Sequence, residues 1–98
     1  MENKVVTLCL ANGAEIIGKF ISSNENYYTI ERPRLVQVND SGVGLLDGVA
    51  MTPAKVDGTL DFNKSCVVFV AETMPEIANG WLTQTSGIQT TQKSILLS

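Results

Sequence analysis

The feature that most constrains this chain is how its β-branched residues are distributed. Val, Ile and Thr together supply 26 of 98 positions, and they fall in runs of five to nine residues broken by Gly, Asn, Asp and Pro. Such side chains are stiff at χ1 and suit a pleated surface, so runs of this length between turn residues predict short strands. At 98 residues the chain holds one hydrophobic core. The pattern predicts an all-β domain, a small, strongly bent antiparallel barrel of five or six strands.

The first run, Val5 to Ala11, ends at Asn12-Gly13, a dipeptide suited to the positive φ angles of a hairpin turn. Glu15 to Ser23 follows, with Ile16, Gly18 and Phe20 on one face and Ile17, Lys19 and Ile21 on the other. Gly18 weakens a strand interior, so it predicts a sharp bend or a close backbone approach. After the turn Ser23 to Asn26, a strand begins at Tyr27. Pro33 has no N–H for a ladder, which puts an edge or a bulge there before the strand resumes at Leu35 to Val38. Asn39-Asp40-Ser41-Gly42 predicts a second hairpin turn, with Val43 to Met51 pairing back. Thr59 to Phe62 and Cys66 to Thr73 are the last strands. Beyond Pro75 the periodicity fails: Glu76 to Trp81 suits one helical turn, Trp81 suits docking on the barrel, and Gln84 to Lys93 is polar. The domain is therefore drawn as residues 1–74, with 75–98 as a C-terminal tail.

Composition narrows the chemistry. No histidine is present, which removes Ser-His-Asp and Cys-His catalysis and the mixed Cys/His zinc sites. Cys9 and Cys66 have no CxxC spacing and read as small buried hydrophobes in a reducing, cytoplasmic setting. The aspartates lie in turn-like sequence without EF-hand spacing, so no metal site, cofactor or enzyme activity is expected. The longest clear apolar run, Cys66 to Ala71, is far too short for a membrane helix. With 7 Lys and Arg against 10 Asp and Glu, the net charge of −3 disfavours strong non-specific binding of nucleic acid. Arg32-Pro33-Arg34 is the sole basic cluster, and balancing Glu25 and Glu31 is its expected role.

Leu10-Ala11-Asn12-Gly13, Glu15-Ile16, Gly18-Lys19-Phe20 and Tyr27-Tyr28-Thr29-Ile30, at their spacing, resemble the first motif of the Sm-like family, which includes LSm proteins and bacterial Hfq. Phe62-Asn63-Lys64-Ser65 followed by Cys66 to Val70 resembles the second. The chain looks like a divergent bacterial or phage-type member, with residues 35–58 as an enlarged hairpin between the family's third and fourth strands. The resemblance implies a five-stranded bent barrel, closed into a homo-oligomeric ring by edge-to-edge strand pairing, that binds single-stranded RNA. Asn24 falls at the family's turn Asp, Asn26 at its base-stacking position and Tyr28 at its uracil-reading Asn. Asn63 and Lys64 fall at its Arg-Gly pair. The usual uridine pocket is thus altered, and the resemblance implies an RNA site built from Asn24, Asn26, Tyr28, Asn63 and Lys64, with Tyr28 as stacking platform. Lys64 and Arg34 lining the lumen would favour RNA. A ring serving only as a protein-assembly module is the alternative.

Overall fold

The computed structural model describes residues 1–50, 52–54 and 56–86. Six strands form along the chain: β1 (Val5–Leu10), β2 (Glu15–Ser23), β3 (Tyr27–Asn39), β4 (Gly42–Leu45), β5 (Thr59–Asn63) and β6 (Val67–Glu72). A 3-10 turn, Lys64–Cys66, joins β5 to β6, and a helix α1, Pro75–Thr85, follows. All pairings are antiparallel, in the order β4-β3-β2-β1-β6, with β5 on the N-terminal half of β3. The expected closed barrel is therefore corrected to an open sheet. Among the described residues β4 and β5 each pair only with β3 and β6 only with β1, so three strands keep an unpaired side.

The first hairpin turns by a different device from the one its dipeptide suggests. Asn12 keeps a negative φ and Gly13 alone is positive, at 91°. The Gly13 N–H donates to Leu10 O (2.9 Å), the Leu10 N–H donates to Ala14 O (2.8 Å), and Asn12 Oδ1 accepts from the Ala14 N–H (3.0 Å). This is the three-residue hairpin with a glycine bulge, in which Asn serves as a side-chain acceptor.

Gly18 marks the bend that its position predicts. Opposite it β3 bulges, since Ile17 pairs with Arg34 but Lys19 pairs with Glu31. A Cβ on Gly18 would collide with Ile30 Cγ2 and lie 2.9 Å from Glu31 O and 3.3 Å from Pro33 Cα. Pro33 sits inside the bulge, where no ladder donor is required. Arg32 carries the bulge's strain, with φ at 49° in the left-handed region.

The bend divides the interior in two, with β2 as the partition. Val6, Leu8, Ile16, Phe20 and Ile30 form the larger core, joined at its margin by Leu10, Tyr28, Leu35, Phe62, Val67 and Val70. On the other face Ile17, Leu45 and Trp81 form a smaller one, with Val5, Val36 and Ile77 around them. The second core depends on α1, in the stretch where sequence periodicity left a tail. Pro75 at the helix start needs no hydrogen-bonding N–H, and Trp81 is 1% exposed. Its indole Nε1–H donates to Arg32 O (2.9 Å), the Arg32 guanidinium lies 5.4 Å from its ring, and Arg32 Nη1 donates to Thr85 O (3.1 Å). The helix extends the single turn expected at Glu76 to Trp81 as far as Thr85, and its length was not legible because it is held by tertiary contacts of Trp81, Ile77 and Arg32 and not by a long periodic apolar stripe. Residues 87–98, including most of the polar stretch to Lys93, lie outside the described residues.

The expected enlarged hairpin is present as the C-terminal half of β3 and β4, with Val36 opposite Leu45 and Asn39 opposite Gly42. The chain then returns to β5 beside Arg34.

Candidate nucleotide-binding corner

The turn between β2 and β3 and the turn between β5 and β6 lie against each other, and all five residues named from the sequence collect there. Register brings them together, because Tyr27 pairs with Asn63 and Tyr28 with Phe62. A backbone bond from the Lys64 N–H to Asn26 O (2.8 Å) ties the two turns.

Two of the three asparagines have a definable job. Asn24 Oδ1 accepts from the backbone N–H groups of Asn26 and Tyr27, both at 2.8 Å, which closes the turn. Asn63 Oδ1 accepts from the Ser65 N–H (3.2 Å) and Ser65 Oγ (3.0 Å) and caps the 3-10 turn. Both oxygens are thus engaged internally, which leaves the Nδ2 groups as donors to a ligand. Asn26 is exposed and makes no side-chain hydrogen bond among the described residues.

Tyr28 is half-buried at the margin of the larger core, its ring 6.0 Å from that of Phe20 at an interplanar angle of 60°. The Lys64 ammonium lies 4.9 Å from the Tyr28 centroid. That separation fits a cation–π contact, which holds the lysine at the corner and keeps its charge near the ring. Lys64 forms no salt bridge among the described residues. Tyr27, on the opposite face, is 39% exposed.

Beside Tyr28 opens a cleft of about 600 Å³ lined by Met1, Glu2, Phe20, Ser22, Ser23, Tyr28 and Val70. Its serines precede the turn and were read only as the end of a strand. Met1 and Glu2 carry no sequence signal; they arrive because Asn3 takes a φ of 67° and its N–H donates to Phe20 O (2.7 Å).

Arg34 does not join this corner. It is 2% exposed, and its Nη1 donates to Pro33 O (3.0 Å) and Val56 O (2.9 Å) while Nη2 pairs with Asp57 at 3.5 Å. Burial pushes its pKa below the ordinary arginine value, and Asp47 and Asp57 oppose that shift. Arg32 pairs with Glu31 at 3.3 Å, as the local charge balance suggested, and also caps α1. Asp61 accepts from Thr29 Oγ1 (2.7 Å), a bond across the β3–β5 pair.

The cysteines divide. Cys9 is half-buried, and burial together with Glu15 pushes its thiol pKa up. Cys66 is exposed at the end of the 3-10 turn, which corrects the expectation that both are buried; the turn, not a strand, holds it. Among the described residues no three His, Cys, Asp or Glu side chains group closely enough to hold a metal, and no helix is long and apolar enough to cross a membrane. No protein-family model matches the chain, and no curated protein is similar to it.

Proposed function

We propose that the chain is an Sm-like subunit that associates edge to edge into a homo-oligomeric ring and binds single-stranded RNA, without catalysis, at the corner formed by Asn24, Asn26, Tyr28, Asn63 and Lys64. The observation that carries this reading is the juxtaposition of an unpaired ammonium, an aromatic ring and two asparagine amides on two hydrogen-bonded turns. Each type has a use toward a nucleotide: the ammonium for phosphate, the ring for base stacking, the amides for base edges. Stacking adds about 1–3 kcal/mol per base and tolerates any sequence. One ammonium per subunit is a weak electrostatic contribution, but a ring repeats it around its axis.

Association is supported separately by the free strands. On β6 the large side chains Val68 and Phe69 are 67% and 54% exposed, and no charge interrupts the strand before Glu72. An edge of this kind templates pairing with another chain unless it is covered, and β5 offers a second free edge to cover it.

The test is fluorescence anisotropy of labelled oligo-U, oligo-A and single-stranded DNA with the purified oligomer, at low and physiological salt. Saturable, salt-sensitive RNA binding weakened by both Lys64→Ala and Tyr28→Ala supports the reading. An intact ring that binds none of the probes at low salt points to the second reading, an assembly module for protein partners. The net charge of −3, with Arg32 and Arg34 held in internal contacts, favours that alternative.

A further inference from the structure

The cleft of about 600 Å³ beside Tyr28 has one wall that the sheet does not build. Met1 and Glu2 stand there because Asn3 takes a left-handed φ of 67°, its N–H donates to Phe20 O (2.7 Å), and the Lys4 N–H donates back to Met1 O (3.1 Å). Positive φ is uncommon outside glycine, and a strained turn held by two backbone bonds points to a use for the residues it carries. The polar side chains of the cleft are uncommitted. Glu2, Ser22 and Ser23 line it, and among the described residues none of them makes a side-chain hydrogen bond or an ion pair. Met1, Phe20 and Val70 supply apolar walls, and Tyr28 belongs at once to the cleft and to the corner where Lys64 lies. Apolar and aromatic walls around a few free polar groups suit a planar heterocycle.

The carboxylate selects among bases. Ionised Glu2 only accepts hydrogen bonds and repels phosphate, so it serves a nucleotide only where the base offers it donors. Guanine alone presents two adjacent donors, N1–H and N2–H, which match the two oxygens of one carboxylate in a charge-assisted pair. Adenine and cytosine offer one amine beside an acceptor nitrogen, and uracil offers one N–H between two carbonyls. The Ser22 and Ser23 hydroxyls can each donate or accept, which suits the remaining O6 and N7 acceptors of guanine. We propose that this cleft is a guanine subsite of the RNA-binding corner, the base resting against Tyr28 with N1–H and N2–H donating to Glu2. Lys64, 4.9 Å from the centroid of the same ring, holds the phosphate of that nucleotide. The proposal rests on the reading of the corner as an RNA site and adds to it a choice of base.

The test is fluorescence anisotropy of the full chain with labelled oligo-U, unmodified or carrying one central guanosine, inosine or adenosine, at low salt. Inosine lacks only the N2 amine of guanosine. The guanosine oligomer is expected to bind about tenfold tighter than the inosine oligomer, because one charge-assisted bond separates them. Glu2→Gln removes that preference, and since Glu2 is exposed its replacement leaves the fold intact. Lys64→Ala weakens all four oligomers alike. In NMR titration of the isotope-labelled chain, GMP produces saturable shifts at the Ser22 and Ser23 amides. Equal binding of the guanosine and inosine oligomers, a preference that survives Glu2→Gln, or GMP shifts elsewhere than at Ser22 and Ser23 would overturn the guanine subsite while leaving the corner an RNA site. Failure of every oligomer to bind would overturn both readings together.

Discussion

The two cores of this molecule are built on opposite faces of one strand and by different means. The larger, around Leu8 and Ile30, is made by alternation: β1 contributes Val6 and Leu8, β2 contributes Ile16 and Phe20, and their partners follow from register. Its side chains are apolar, so burial requires no polar partner. The smaller, around Trp81, is made by a junction: one residue each from β2, β4 and α1, surrounded by buried polar groups. Among the described residues Arg32 Nε, Arg34 Nε and Gln84 Oε1 are buried there or at its edge without hydrogen-bond partners. Stability in the first core comes from area removed from water, whereas in the second the gain from apolar burial is reduced by the desolvation of these polar atoms. The comparison leads to the expectation that α1 unfolds as a separate, weaker unit on a sheet that holds without it.

The largest expected effect tests that separation. Leu8→Ala and Trp81→Ala should each cost about 3–5 kcal/mol, the usual range for large buried side chains. They should differ in kind. Leu8→Ala lowers protection of the whole sheet, while Trp81→Ala abolishes helical circular dichroism and leaves β1 and β2 amides protected in hydrogen exchange. Equal loss of sheet protection in both would merge the two cores into one cooperative unit.

Gly18→Ala, at the boundary, comes next, at about 1–3 kcal/mol, because its Cβ meets β3 backbone as well as the Ile30 methyl. Urea denaturation measures it, and a neutral result would show that the bulge yields. Arg32 gives a finer contrast. Arg32→Gly should be more stable than Arg32→Ala by about 1 kcal/mol, since both lose the contacts to Trp81 and Thr85 but only glycine accepts the positive φ freely. Smallest is Gly80→Ala, expected to raise stability by about 0.5–1 kcal/mol through helix propensity and to leave the sheet untouched, read by the same denaturation curves.

The same contrast explains what could be read in advance. The strands around Leu8 were legible because a period of two is written in the residues themselves, and Gly18 and Pro33 marked the bulge because each breaks a local rule. That Asn24, Asn26, Tyr28, Asn63 and Lys64 lie at one corner followed from motif spacing, while a role for them toward a ligand rests on the resemblance alone. Open edges were not legible, since closure depends on curvature summed over strands and not on any one residue. One turn of helix α1 and the docking of Trp81 were legible, but the helix's extent to Thr85 was not, because its anchor is tertiary: Trp81 finds Arg32 O across 49 positions, and nothing local announces that bond. The cleft beside Tyr28 escaped for the same reason, as Met1, Ser22 and Val70 are brought together only by the fold.

The position of β1 has a consequence for how the chain is made. It is an interior strand, flanked by β2 and β6, and the Thr7–Thr73 hydroxyl bond that ends its second pairing spans 66 positions. Its first partner begins at Glu15 and its second only at Val67, so a nascent chain presents the outer side of β1 unpaired until β6 has been made. Non-local pairing of this kind is slow, and an unpaired edge invites misassociation. Docking of β6 is therefore the step that covers the outer side of β1 and moves the sheet's open edge to β6 itself.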